Sequence, residues 1–99
     1  MGYPQSIEAC VNDLASRLTP EQIEQVAEFE SANAFASATH WTYGLFCRNA
    51  YGLYDNNQAL FREVAARNPK LGNVQPDDVS GVILREFYAY ALDFVEAGA

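Results

Sequence analysis

From Pro76 onward the chain carries Val79, Val82, Ile83, Leu84, Phe87, Tyr90, Ala91 and Phe94, which at helical spacing fill most of a helix's circumference. A helix that apolar must be covered on two or more sides, so the rest of the chain has to supply its covering layers. Its start is marked by Pro76, whose missing N–H costs nothing in a first turn, and by Asp77 and Asp78, where the helix dipole favours acids.

The remaining segments read as short helices. Ile7, Cys10, Val11, Leu14 and Leu18 recur at spacings of three and four behind Ser6, an N-cap residue type. Thr19 as N-cap, Pro20 at the first helical position and Gln22 three residues after Thr19 form a capping box. They predict a second helix from Pro20 to about Glu30, with Ile23, Val26 and Ala27 on one side and Glu21, Glu24, Gln25 and Glu28 on the other. Glu30 falls on the apolar arc, so either the helix has ended there or Glu30 is buried with a partner.

The Ala- and Ser-rich stretch 31–39 fits a helix or a connection equally. A third helix is predicted over Ala38 to Tyr51, ended by Gly52 in the left-handed position and followed by apolar Leu53. Asp55, Asn56 and Asn57 form a turn, after which Leu60, Phe61, Val64 and Ala65 mark a fourth helix with Glu63 and Arg67 as an exposed i,i+4 pair. Asn68 to Asn73 reads as loop. No alternating strand pattern and no repeat occurs. The expectation is an all-α fold, a single compact bundle of about five helices around a central, largely apolar C-terminal helix, with residues 1–99 as one acidic domain.

Composition limits function. Apolar residues make up 49% of the chain, too many for disorder. Thirteen Asp and Glu against six Lys and Arg give a formal charge of -7. Affinity for nucleic acid comes from cations displacing counterions, so direct nucleic-acid binding is not expected. No run approaches the ~20 apolar residues of a spanning helix, and the opening Met1-Gly2-Tyr3-Pro4 lacks a leader pattern. The expectation is no membrane association and a cytoplasmic location. Cys10 and Cys47, far apart and without CxxC spacing, read as small buried hydrophobes, with a disulfide between them left open.

Two constellations remain. His40, Gly44 and Arg48 would share one face of the third helix, and a glycine there costs roughly 1 kcal/mol against alanine unless another backbone passes close. An internal polar network of His40, Arg48 and Asn49 with Asp77, Asp78 or Glu30 is the reading this favours, an Arg–carboxylate fork being its strong form. An acid–base pair of His40 with Asp77 or Asp78 is the catalytic alternative. One His and two Cys at no ligand spacing complete no metal site, and no phosphate-binding or nucleophile motif occurs. The chain is therefore read as a non-enzyme without metal or cofactor. The second constellation is the stripe Glu21, Glu24 and Glu28, without a cation in its helix and with Glu8 and Asp13 nearby in sequence. Acids spaced on a rigid helix can take the place of phosphates on a basic partner.

The blocks His40-x3-Gly44-x3-Arg48-Asn49-x2-Gly52-Leu53 and Pro76-Asp77-Asp78-Val79-Ser80 resemble a family of short, uncharacterised bacterial and phage proteins, a domain of unknown function. The resemblance implies that the two blocks belong together. By size and acidity the chain is also similar in type to phage-encoded anti-CRISPR inhibitors. The function expected from sequence is a small acidic binding protein that inhibits a larger basic, nucleic-acid-handling complex. A structural module or homodimer is the alternative, then an immunity-type protein or a minimal hydrolase using His40.

Overall fold

The computed structural model describes residues 2–98. Among the described residues six α-helices form, where sequence spacing predicted about five: α1 Ile7–Arg17, α2 Pro20–Ala27, α3 Ala32–Ala38, α4 Tyr43–Ala50, α5 Gln58–Arg67 and α6 Pro76–Gly98. Short 3-10 turns at Leu53–Asp55 and Pro69–Leu71 flank α5, and no strand occurs among the described residues.

The extra helix is the Ala/Ser stretch that periodicity left open, and it is separated from the next helix, which was expected from Ala38 and begins at Tyr43, by a break at Thr39. Its hydroxyl donates to the Phe35 carbonyl at 2.8 Å, and its own carbonyl accepts from the Thr42 and Gly44 N–H groups at 3.1 and 2.8 Å. The carbonyl that would have continued α3 thus starts a new helix instead, after a turn over residues 39–42. At the front of α3, Ser31 caps Ala34 N–H at 3.0 Å, which makes the Ala/Ser stretch a helix in its own right.

Caps elsewhere hold as the sequence implies. Ser6 accepts from Ala9 N–H, and Thr19 and Gln22 form the reciprocal capping box. Helix α2 closes at Ala27 with Glu28 as its C-cap, the Glu28 N–H donating to the Gln25 and Val26 carbonyls.

Helix α6 packs against each of the other five helices. Its 23 residues span ~34 Å at 1.5 Å per residue, most of the molecule's 39 Å longest extent. A radius of gyration of 13.1 Å is that of a compact chain of this size. Phe35 is fully buried at the centre of an aromatic group, its ring 5.4 to 6.5 Å from those of Phe29, Tyr43, Phe87 and Tyr88. Tyr88 ties that group to the end of α2 by donating to the Phe29 carbonyl at 2.6 Å.

Long-range side-chain bonds fix the ends. Glu63 pairs with Arg67 at 2.7 Å and also accepts the Ile7 N–H at 2.8 Å, so it caps α1 from α5. Buried Asn57 donates to the carbonyls of Pro4 and Tyr51 at 2.9 and 3.0 Å, holding the N-terminal segment on the body. Gly52 has φ +73°, and the Tyr3 ring lies where a Cβ would stand. Gly52→Ala should therefore destabilise by about 2 kcal/mol, from left-handed strain and displacement of Tyr3. Urea denaturation measures this; an unchanged midpoint would refute the steric account.

Candidate functional site

The first and second sequence blocks meet at Arg48. Helix α4 carries Arg48 inward to zero exposure, and α6 brings Asp77 and Ser80 to it from the other side. The guanidinium donates through Nε to the Tyr54 hydroxyl at 2.9 Å, through Nη1 to Ser80 Oγ at 3.0 Å, and through Nη2 to the His40 carbonyl at 3.0 Å. Asp77 Oδ1 stands 3.5 Å from Nε. Ser80 passes its own hydrogen to the Asp77 carbonyl at 3.2 Å. Above the guanidinium lies the Trp41 ring, its centroid 5.6 Å from the guanidinium carbon, and the ring is 74% exposed.

Gly44 earns its place here. A Cβ on it would stand 3.1 Å from Arg48 Nη1 and 3.3 Å from the Thr39 carbonyl. The close backbone is thus the turn preceding α4, where a crossing by another element was expected.

His40 enters the network by its backbone and lies in that turn, outside the helix that was to align it with Gly44 and Arg48. Its imidazole Nε2 is 3.7 Å from Asp77 Oδ2, outside hydrogen-bond range, and packs edge-on to Trp41 at 4.7 Å. Asp78 is used differently from Asp77, accepting the Gln75 N–H at 2.8 Å at the start of α6. Two expected members are absent from the network: Asn49 points out from α4, and Glu30, beyond the end of α2, is exposed. The helix ends before Glu30, which removes the reason for burying it. Two members were missed, Tyr54 and Ser80. Ser80 stood in the second sequence block, whereas nothing marked Tyr54, which the turn after Gly52 delivers.

Chemically this is a closed hydrogen-bond centre under an exposed aromatic. Each nitrogen of the buried Arg48 guanidinium donates to a neutral oxygen, and the carboxylate beside it is 64% exposed. Among the described residues no three His, Cys, Asp or Glu side chains gather to hold a metal. Cys10 and Cys47 are buried and unbridged, and burial pushes both thiols up to about 12, away from any reactive thiolate.

The acidic residues divide between paired and free. Asp13 accepts from Arg17 at 2.8 Å and from buried Tyr51 at 2.8 Å; the Arg17 bond chiefly holds its carboxyl below the usual range. Glu8, Glu21, Glu24 and Glu28 are exposed. Helix α2 runs antiparallel to the C-terminal half of α6: Pro20 and Glu24 sit beside residues 94–98, while Phe29 meets Tyr88. Exposed Asp93 and Glu96 lie on the same stretch of α6, on its side turned away from α2. No Lys or Arg occurs from Leu18 to Cys47 or after Arg85.

Residues 3–91 match the family described as Domain of unknown function (DUF6794). The chain belongs to DUF6794. No curated protein and no solved structure matches it. The DUF6794 match includes the whole Arg48 centre and all of α2, and it stops at Ala91, before the last two turns of α6. No helix of the described residues is long and apolar enough to cross a membrane.

Proposed function

We propose that this DUF6794 chain is a non-enzymatic binding protein of the cytoplasm whose acidic end docks on a larger, basic, nucleic-acid-handling protein and inhibits it by standing where phosphates would lie. In the same reading the chain is one domain with α6 as its central helix. The observation that carries the proposal is the exposed row Glu21, Glu24 and Glu28 on α2, in a stretch from Leu18 to Cys47 that holds no Lys or Arg. A single-sign surface on a rigid scaffold raises association rates with an oppositely charged partner and repels nucleic acid itself. The non-enzymatic part is supported by the Arg48 centre, whose polar groups are directed at one another.

The test is affinity capture from the native host with the wild-type chain, then with Glu21→Lys, Glu24→Lys and Glu28→Lys combined. The variant should keep its thermal stability, because all three side chains are exposed. Association with the captured partner should slow by more than about tenfold and lose its salt dependence. Binding unaffected by the triple reversal would overturn the proposal.

A second reading, a homo-oligomeric module, is favoured by the exposure of Trp41 and Tyr54, 74% and 60% open to solvent on one side of the Arg48 centre. Aromatic anchors of this kind are enriched at interfaces. Light scattering that gives a monomer mass at all concentrations would exclude it.

A further inference from the structure

The side of α6 that faces the core runs past the end of the bundle. Phe87 and Ala91 on this side are fully buried, whereas one turn further on Phe94 is only half-buried. There Phe94, Val95, Ala97 and Gly98 line an open concavity of about 610 Å³, closed on one side by Pro20 and Glu24 at the start of α2. Val95 and Leu92, one turn apart on α6, remain 39% and 44% exposed. The helix pattern that buries α6 for most of its length thus ends in an apolar hollow that no other element among the described residues covers.

What surrounds the hollow selects its occupant. Glu24 is on its wall, Glu21 follows Pro20, and Asp93 and Glu96 stand on the outer side of the same turns, all exposed. The C-terminal turn of α6 contains no basic residue, so the negative end of its dipole also opens here. An apolar floor with an acidic wall at Glu24 and a helix C-terminus beside it matches an amphipathic segment that is apolar on one face and cationic on the other. A second copy of this chain is disfavoured, because it would bring the same acids face to face.

We infer that this hollow seats one apolar side chain of a short basic amphipathic helix contributed by the partner, with its Lys or Arg residues paired to Glu24 and the α6 terminus. The inference rests on reading the acidic end as the binding face, and it names the partner segment that face takes. Seated there, the segment would lie across α2 and α6 as a third helix of the group, a helix-in-groove mode.

Three labelled peptides of one length test it on the full chain by fluorescence anisotropy: a Leu/Lys amphipathic helix, a Lys/Ser peptide of the same charge, and a Leu/Glu peptide of the same apolar pattern. The Leu/Lys peptide should bind more than about tenfold tighter than either control, since neither charge nor apolar contact suffices alone. Backbone amide shifts should move at residues 21–24 and 92–98. Ala97→Trp, which fills the hollow without changing charge, should weaken Leu/Lys binding about tenfold and leave Lys/Ser binding unaltered. Circular dichroism checks that the variant keeps its helices.

Equal binding of the Leu/Lys and Lys/Ser peptides, with no effect of Ala97→Trp, overturns the hollow as an anchor while leaving the acidic face standing. Leu/Lys binding that survives the triple Glu→Lys change overturns the acidic face itself. Shifts at residues 92–98 that grow with protein concentration alone would assign the hollow to a second copy and overturn the inference.

Discussion

Arg48→Ala should lower the unfolding free energy by about 3 kcal/mol, a large share of the ~5–15 kcal/mol that holds a domain of this kind together. The sequence argument for such a loss is that it strands a buried carboxylate. The structure supplies another cause, since Asp77 is 64% exposed and water solvates it once Arg48 is gone. As a surface ion pair at 3.5 Å it would contribute only ~0–1 kcal/mol. The larger part comes from the arginine itself. It is the largest fully buried side chain, and truncating it opens a cavity against Leu84 and Gly44, a loss comparable to other large-to-alanine changes at ~2–5 kcal/mol. The His40 carbonyl and the Ser80 and Tyr54 oxygens lose a charged donor at the same time.

Companion variants separate these causes. Asp77→Asn should cost less than about 1 kcal/mol, because it alters only the exposed pair. Arg48→Lys keeps the charge yet cannot reach three acceptors with one ammonium, so it should lose most of what alanine loses. At ~4–8 °C per kcal/mol the alanine variant should melt ~12–24 °C below wild type by circular dichroism. A fall corresponding to less than ~1 kcal/mol, or an Asp77→Asn variant as damaged as Arg48→Ala, would show that the ion pair and not the buried fork carries the centre.

The same residue measures how far the sequence could be read. That Arg48 meets the Asp77 segment followed from the spacing of two blocks and the wasteful glycine between His40 and Arg48. Which atoms it meets did not follow. The helix break at Thr39 depends on a threonine hydroxyl satisfying one carbonyl while another starts the next helix, a choice that residue periodicity does not encode. Moving His40 off the helix turned its side chain toward the surface and gave Arg48 its carbonyl in exchange.

Local signals with a specific mechanism transferred well: the capping box at Thr19, the cap at Ser6 and the left-handed Gly52 each concern atoms within a few residues of one another. Signals requiring a distant partner transferred poorly. Glu63 looked like one half of a surface pair, yet it also caps α1 across the fold. Asp13 looked free for a partner, yet Tyr51 reaches it from the end of α4. Likewise the hollow beside Val95 depends on where α2 begins relative to the end of α6, which no pattern within either helix records.

Raising the pH should unfold the domain between about pH 10 and 12. Burial is the main reason both Cys10 and Cys47 are pushed up to about 12 from an ordinary value near 9, with nearby acids such as Asp13 adding to it. Tyr51 moves the same way, because its hydroxyl is buried and donates to the Asp13 carboxylate, which ionisation would oppose. The sign follows from proton counts. Below pH 9 both states hold the thiol protons and the advantage of the folded state is fully present. Between pH 9 and 12 the unfolded chain releases protons that the folded chain keeps, so unfolding gains ~1.4 kcal/mol per group for each pH unit. Two thiols taken to pH 11 amount to a loss on the order of 5 kcal/mol, comparable with the whole stability of a small domain. Urea denaturation in the presence of a reductant should give a stability that is flat from pH 7 to 8.5 and falls steeply above 9. Cys10→Ala combined with Cys47→Ala should begin lower at pH 7, from two small cavities, and should fall less steeply from pH 9 to 10, where the thiols of the unfolded chain titrate ahead of Tyr51. In wild type at pH 8 both thiols should resist a disulfide reagent until urea unfolds the chain. Stability that stays level through pH 11, or thiols that react in the folded state as fast as a free cysteine, would mean that the pair is not held in the core.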